Sequence, residues 1–167
     1  MSARFRLEIL NKNHNRNAFT CGEEVLDNYI RSQASQDMRR RIANCFVAID
    51  VASDQIAGYY TIASASITTP DLPADITKRL PRYPSIPAVR IGRLAIAKNL
   101  QGEGLGKALL ADATIKVISA NPASFALLVD AKNDKAEKFY KHHGFIPLNT
   151  SPKILFLPLA TAEKILL

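Results

Sequence analysis

The chain has 167 residues, 47% of them hydrophobic, which suits one globular domain with a sizeable core spanning residues 1–167. Its 22 Lys and Arg against 15 Asp and Glu give a formal charge of +7, which favours a phosphorylated cofactor, a nucleic acid or an acidic protein segment as partner. There is no signal-peptide pattern, no apolar run near the ~18 residues of a membrane span, and no metal-ligand spacing of Cys21 and Cys45. We therefore expect a cytoplasmic protein with reduced thiols, no metal and no membrane contact.

The first part of the chain predicts three strands and one helix. Polar and apolar residues alternate over residues 4–10, and β-branched and aromatic residues are dense in two later segments. Apolar residues at helical spacing begin near Gly22. The predicted strands cover residues 4–10, 45–51 and 56–69, and the predicted helix covers 22 to about 42.

Residues 70–87 hold five of the nine prolines, and proline punctuates regular structure. One short helix around residues 72–80 fits the pattern, with Pro73 in its first turn. The segment is either an ordinary surface loop or a loop that shapes the mouth of a substrate site. The sequence favours neither.

The second part of the chain alternates strands and helices. Strands are predicted at residues 88–97, 125–130, 145–148 and 153–159, and helices follow the first two of them, to about 120 and over 133–143. Together with the first part, this order predicts one mixed α/β, or α+β, domain.

Three glycines, Gly102, Gly104 and Gly106, fall between the predicted strand at 88–97 and the helix that follows. The first N–H groups of a helix have no intrahelical partner, and glycine lets an anion approach them closely. The spacing fits neither a Walker loop nor a Rossmann fingerprint. On spacing alone, a phosphate site and a tight structural turn both stay open.

The segment Gln101-Gly102-Glu103-Gly104-Leu105-Gly106, after an apolar strand, resembles the Q-x-x-G-x-G acyl-CoA motif of the GNAT acetyltransferase superfamily. The resemblance implies a mostly antiparallel sheet of about six or seven strands flanked by about four helices. It also implies acetyl-CoA as co-substrate, with its pyrophosphate on the turn and its pantetheine arm on the preceding strand. The implied cofactor contacts here are Leu94, Ala95, Ile96, Gln101, Gly102, Glu103, Gly104, Leu105, Gly106 and Lys107.

A second segment, Asn133 to Phe145, resembles the N-x-x-A-x-x-F-Y-x-x-x-G-F motif of the same superfamily. The resemblance assigns Asn133 and Lys135 to the cofactor and makes Tyr140 the general acid. A phenol with a pKa near ~10 can protonate a leaving thiolate, whose thiol titrates near ~8.5. Core packing is the other reading of Tyr140, because its helix face is apolar. No general-base carboxylate stands out, and an α-amino acceptor is partly neutral already at pH ~7.

The segment from Cys21 to Ile30 resembles the C-G-x-x-x-L-D-x-Y-I helix of one bacterial GNAT subgroup, the toxins of toxin–antitoxin pairs. The resemblance implies acetylation of the α-amino group of aminoacyl-tRNA, which blocks translation, together with a ribbon–helix–helix antitoxin and a homodimer. Phosphate contacts then fall to basic residues. The candidates are Arg39, Arg40, Lys78, Arg79, Arg90 and Arg93.

Two other functions stay open. One is a GNAT N-acetyltransferase that acts on a protein N-terminus or a small amine, since fold does not decide the acceptor. The other is a module that binds CoA or an antitoxin without turnover.

Overall fold

Seven strands form one sheet in the computed structural model, which describes residues 4–167. They are β1 (Phe5–Ile9), β2 (Asn44–Asp50), β3 (Gln55–Thr68), β4 (Ser85–Ile96), β5 (Ala126–Asp130), β6 (Ile146–Leu148) and β7 (Ser151–Pro158). Their order is β1-β2-β3-β4-β5-β7-β6. Strands β4 and β5 are parallel, and the pairs β1–β2, β2–β3, β5–β7 and β6–β7 are antiparallel. The predicted mixed α/β class and the predicted mostly antiparallel sheet of about six or seven strands are confirmed.

The helices lie between these strands and after the last one. They are α1 (Glu24–Asn28), α2 (Ala34–Arg39), α3 (Ala74–Thr77), α4 (Leu105–Ser119), α5 (Asp134–His142) and α6 (Leu159–Leu166). A π-helical turn, Tyr29–Gln33, joins α1 to α2 without a break. Over residues 4–167, no helix has the length and apolar content that crossing a lipid bilayer requires.

One compact unit comprises the described residues up to Ala63 together with Gly92–Ala113. In it, β2 pairs with β1 on one side and with β3 on the other, with Val47 opposite both Glu8 and Tyr59. Tyr59 is fully buried, and its hydroxyl donates to the carbonyl oxygen of Leu26 in α1 at 2.7 Å. This bond and the apolar contacts of Ile30 attach the first helical segment to the strands.

The second compact unit comprises Ser64–Ile91 and Thr114–Leu167. Here β5 is buried over Ala126–Val129 and pairs with β7, with Leu128 opposite Phe156. Both of these side chains belong to an apolar core with Ile67 and Leu72. A strand with apolar residues on both faces is typical of the middle of a sheet, which is the position of β5.

Two predicted elements need correction, and one further element was not predicted. The helix predicted from Gly22 to Ile42 begins at Glu24, contains the π-helical turn and ends at Arg39, because Arg41 takes a positive φ of 58° that no α-helix continues. The helix predicted at 72–80 shortens to α3, after which Arg79 and Leu80 form tighter turns before Pro81. Helix α6 was not predicted at all, although Leu159, Ala162 and Leu166 are buried at helical spacing.

Candidate functional site

The glycine-rich turn leads from the end of β4 into α4. A short 3-10 turn, Lys98–Leu100, follows the strand, and α4 then begins at Leu105. Gly102 and Gly104 take φ values of +84° and +87°, which other residues adopt only at a cost. Both therefore precede the helix, and only Gly106 lies within its first turn. The predicted strand, glycine turn and helix are confirmed as elements.

The turn offers a place for an anion. A Cβ atom at Gly102 or Gly104 would meet nothing within 4 Å, so the backbone on this side faces open space. Ala108 N–H donates to the carbonyl oxygen of Gly104 at 3.2 Å, and the N–H groups before it are the ones that a helix leaves without an intrahelical acceptor. The dipole of the 15-residue α4 adds partial positive charge there. A pyrophosphate group fits this backbone.

The side chains of the turn have other partners. The Gln101 amide nitrogen donates to the carbonyl oxygens of Cys21 at 2.8 Å and Ile96 at 3.0 Å, so Gln101 fixes the path of the turn. Glu103 pairs with Arg4 at 2.8 Å, and both side chains are about half exposed. Lys107 is exposed on the first turn of α4. Lys107 is thus the cation nearest in sequence to the open backbone.

Leu94–Ile96 lie at the end of β4, against β3. An added Cβ at Gly58 of β3 would lie 2.9 Å from the carbonyl oxygen of Ala95, so the two backbones approach as closely as glycine allows. Ala97 N–H donates to the carbonyl oxygen of Ala57 at 2.8 Å just beyond this point. The position of this backbone is therefore set by packing within its own unit.

Asn133 and Lys135 lie at the start of α5. Asn133 is the N-cap, and its side-chain oxygen accepts from the N–H of Ala136 at 2.9 Å. No residue among 4–167 accepts a hydrogen bond from its amide nitrogen, which can donate to another partner. Lys135 is exposed in the first turn.

Tyr140 lies in the last turn of α5 with its ring buried against Phe139 and Phe145, at centroid distances of 5.3 Å in both cases. Its hydroxyl makes no hydrogen bond to any described residue. Because no buried side-chain oxygen or nitrogen in residues 4–167 lacks a partner, this hydroxyl is not fully enclosed, although Tyr140 as a whole is only 8% exposed. Burial raises the pKa of Tyr140 to about 12, which keeps the phenol protonated.

The predicted phosphate-binding residues differ in exposure. Arg39 and Arg40 are exposed at the end of α2, and Lys78 and Arg79 are exposed after α3. Arg90 and Arg93, both on β4, are half-buried. In the proline-rich segment, Lys78 borders an open groove of about 560 Å³. Whether this segment shapes a substrate mouth stays a prediction.

Residues that the sequence analysis did not assign to a site surround Arg93. Its guanidinium lies over the ring of Tyr29, with 3.6 Å between Cζ and the ring centroid. The Tyr29 hydroxyl donates to Asp37 at 2.7 Å, and Gln33 donates to the same carboxylate at 3.0 Å. Tyr29 lies within the helix motif at Cys21–Ile30, which was a sequence signal that it has a role in function. Asp37 lies outside that motif.

Comparison with known proteins places these elements in a known family. A family model described as an acetyltransferase (GNAT) domain matches residues 12–154. The chain is 32% identical over 151 residues to a tRNA-acetylating toxin of Mycobacterium tuberculosis, and the match covers 89% of each protein.

Two solved structures resemble the whole chain. AtaT complexed with acetyl-methionyl-tRNAfMet has a TM-score of 0.88 and 33% identity, covering 98% of this chain and 99% of that one. A tyrosine-to-phenylalanine variant of AtaT, bound to the C-terminus of the antitoxin AtaR and to acetyl-CoA, has a TM-score of 0.80 and 31% identity, covering 97% and 98%.

Proposed function

The chain belongs to the GNAT acetyltransferase family, and we propose that it is a toxin that moves an acetyl group from acetyl-CoA to the α-amino group of aminoacyl-tRNA, which blocks translation. The observation that carries this proposal is the full-length likeness to AtaT in complex with an acetylated aminoacyl-tRNA. The net charge of +7 supports it, because an RNA substrate is a polyanion.

Acetyl-CoA is the proposed co-substrate. The N–H groups of Gly102–Gly106 hold its pyrophosphate at the start of α4, and Lys107 adds a positive charge. The backbone of Leu94–Ile96 and the amide nitrogen of Asn133 bind the pantetheine arm. Gln101 acts on the cofactor through the shape of the turn, since its own amide nitrogen is engaged with Cys21 and Ile96.

The reaction exchanges a thioester for an amide. Bound acetyl-CoA supplies the acetyl group: the neutral amine attacks the thioester carbon, which forms the C–N bond and a tetrahedral intermediate. The C–S bond then breaks, sulfur leaves as thiolate, and the amine proton passes to solvent. Tyr140 donates its phenolic proton to that sulfur. The buried ring supports this role because packing fixes its position, and the hydroxyl, which is not fully enclosed and has no hydrogen-bond partner among residues 4–167, is left to donate its proton.

The partners follow from the same relatives. Arg39, Arg40, Lys78, Arg79 and Arg90 are proposed to contact RNA phosphates, which gives affinity without sequence specificity. AtaT binds the C-terminus of an antitoxin, and we propose an antitoxin partner for this chain, of the ribbon–helix–helix type. A homodimer and a cytoplasmic location complete the proposal.

The test is mass spectrometry of a total charged-tRNA pool after incubation with the protein and acetyl-CoA. Nuclease digestion releases the aminoacyl-adenosines, and the proposal expects an acetyl mass shift on one or a few of them. A protein that binds acetyl-CoA but shifts none of them would instead act on a protein N-terminus or a small amine.

Two tyrosine variants separate chemistry from folding. Tyr140→Phe keeps the ring packing and should lower the transfer rate about 100-fold or more, with the free energy of unfolding unchanged. Tyr59→Phe loses the hydroxyl that donates to Leu26, so it should lower stability by about 1 kcal/mol and leave the rate unchanged. Growth arrest that persists with Tyr140→Phe would point to a binding module without turnover.

A further inference from the structure

Arg93 is a half-buried cation whose hydrogen-bonding groups are unused. Its guanidinium carbon Cζ lies over the Tyr29 ring, 3.6 Å from the ring centroid. No described residue accepts a hydrogen bond from the guanidinium nitrogens of Arg93. These nitrogens are not fully enclosed, because every enclosed side-chain nitrogen among residues 4–167 has a partner. Its N–H groups are therefore open to solvent and to a ligand.

The Tyr29 ring beneath Arg93 is positioned by contacts with Asp37 and Tyr59. The Tyr29 hydroxyl donates to one oxygen of Asp37 at 2.7 Å, and Gln33 donates to the other at 3.0 Å. These two bonds hold the pKa of the buried Asp37 below its usual range. Tyr29 also stacks on Tyr59 with 6.3 Å between centroids. Asp37 thus orients Tyr29, and its charge attracts Arg93 without a hydrogen bond between the two side chains.

The π-helical turn makes this arrangement possible. A regular α-helix turns about 100° per residue, so residues eight apart lie about 80° apart around the axis. Here Ala34 N–H donates to the carbonyl oxygen of Tyr29, five residues earlier, which inserts one extra residue into the segment. That insertion brings Tyr29 and Asp37 onto one helix face.

The position of Arg93 in the chain indicates which ligand it binds. It directly precedes Leu94–Ile96, the stretch proposed to hold the arm that carries the acetyl group, so an acceptor amine must arrive near it. In aminoacyl-tRNA the carboxyl group of the amino acid is esterified and uncharged. The permanent anion nearest to the amine is then the phosphodiester that links the last two nucleotides. A planar guanidinium offers paired donors that match phosphate oxygens.

We propose that Arg93, oriented by Tyr29 and Asp37, binds the terminal phosphodiester of the aminoacyl-tRNA acceptor end. This inference rests on the proposed function. Arg93 contacts substrate, and Tyr29 and Asp37 are positioning residues. A small amine or a protein N-terminus lacks this phosphate, so the contact also selects the class of acceptor.

The experiment compares two short acceptors that carry an amino acid identified in the charged-tRNA pool. Each is an aminoacylated dinucleotide, one with the natural phosphodiester and one with an uncharged methylphosphonate linkage. For the wild type, kcat/KM should be about 10- to 100-fold higher with the phosphodiester. Arg93→Met keeps an apolar contact on the ring and should remove this preference, while acetyl-CoA affinity and thermal stability stay near the wild-type values.

Two further variants keep the test decisive if Arg93→Met does not fold. Arg93→Lys keeps the charge but loses the planar donor pair, so it should retain only part of the preference. Tyr29→Phe keeps the ring but releases one oxygen of Asp37, which then competes for the guanidinium. It should raise KM for the phosphodiester acceptor and leave kcat unchanged.

The results that overturn the inference are distinct. A wild type that acetylates both dinucleotides equally, or an Arg93→Met variant that keeps the full preference, eliminates the phosphate contact and leaves the proposed function standing. A wild type that acetylates no aminoacylated RNA overturns both.

Discussion

The close approach of β3 and β4 at Gly58 gives a sharp prediction. A Cβ atom there would lie 2.9 Å from the carbonyl oxygen of Ala95, 3.2 Å from Ile96 Cδ1 and 3.3 Å from Leu109 Cδ1. The two side chains can turn away, but a carbonyl oxygen moves only with its backbone. Overpacking of this kind typically costs about 1–3 kcal/mol. We expect Gly58→Ala to lower the free energy of unfolding by that amount.

The same substitution should weaken cofactor binding, because the displaced residues Ala95 and Ile96 belong to the stretch proposed to hold the pantetheine arm. One lost hydrogen bond of about 1 kcal/mol raises Kd about fivefold. Urea unfolding measures the stability, and calorimetric titration measures the Kd for acetyl-CoA. Ala57→Gly is the matched control: it weakens the same strand by removing a methyl group, so stability should fall while Kd stays constant.

Two results would contradict this reasoning. If Gly58→Ala is as stable as the wild type, the close approach does not constrain the strands. If its stability falls but its Kd equals that of Ala57→Gly, the end of β4 does not bind acetyl-CoA.

Three other predictions concern single groups. Asn133→Asp keeps an oxygen that caps Ala136 N–H and should keep the wild-type stability, whereas Asn133→Ala should lower the free energy of unfolding by about 1 kcal/mol. Calorimetric titration with acetyl-CoA should show weaker binding for both variants. An unchanged Kd for Asn133→Asp would show that Asn133 serves only as the helix cap. With an alkali-stable, amide-linked acceptor, kcat/KM should rise with pH up to the α-amino pKa of about 8 and then stay level. Since burial raises the pKa of Tyr140 to about 12, no fall is expected near pH ~10, where an ordinary tyrosine ionises. A fall in kcat/KM near pH ~10 would contradict the raised pKa of Tyr140. Burial also raises the pKa of Cys21 to about 11 and of Cys45 to about 12, so iodoacetamide at pH ~8 should label these thiols after unfolding and spare them in the folded chain, as read by mass spectrometry.

Features with local causes were predictable from the sequence. Gly102 and Gly104 precede α4 because their positive φ values suit glycine, and their spacing was visible in the letters. Asn133 begins α5 because its side chain caps an N–H three residues later, and Gly144 ends the segment at a φ of +94°. In each case the residue and the structure it determines lie within a few positions.

Features that depend on distant partners were not predictable. Gln101 matches a motif position that predicted a cofactor contact, but its amide nitrogen binds Cys21, 80 residues away in sequence. The π-helical turn at Tyr29 has no signature of its own, because it is stabilised by Asp37 on one side and Arg93 of β4 on the other. Helix α6 differs from these: its helical spacing was in the sequence, and no element was predicted after residue 159.

The groups that folding leaves without partners define the chemistry better than the motifs do. Three motif residues use their side chains in the fold: Gln101 closes the turn, Glu103 pairs with Arg4, and the oxygen of Asn133 caps α5. Three kinds of group have no hydrogen-bond acceptor among residues 4–167. They are the backbone N–H groups of the glycine turn, the guanidinium of Arg93 on β4 and the hydroxyl of Tyr140 on α5. Guanidinium and backbone N–H can only donate, and the raised pKa of Tyr140 keeps its proton in place. A protein that keeps donors open selects acceptors, and pyrophosphate, an RNA phosphate and a leaving thiolate are the acceptors that acetyl transfer to aminoacyl-tRNA supplies.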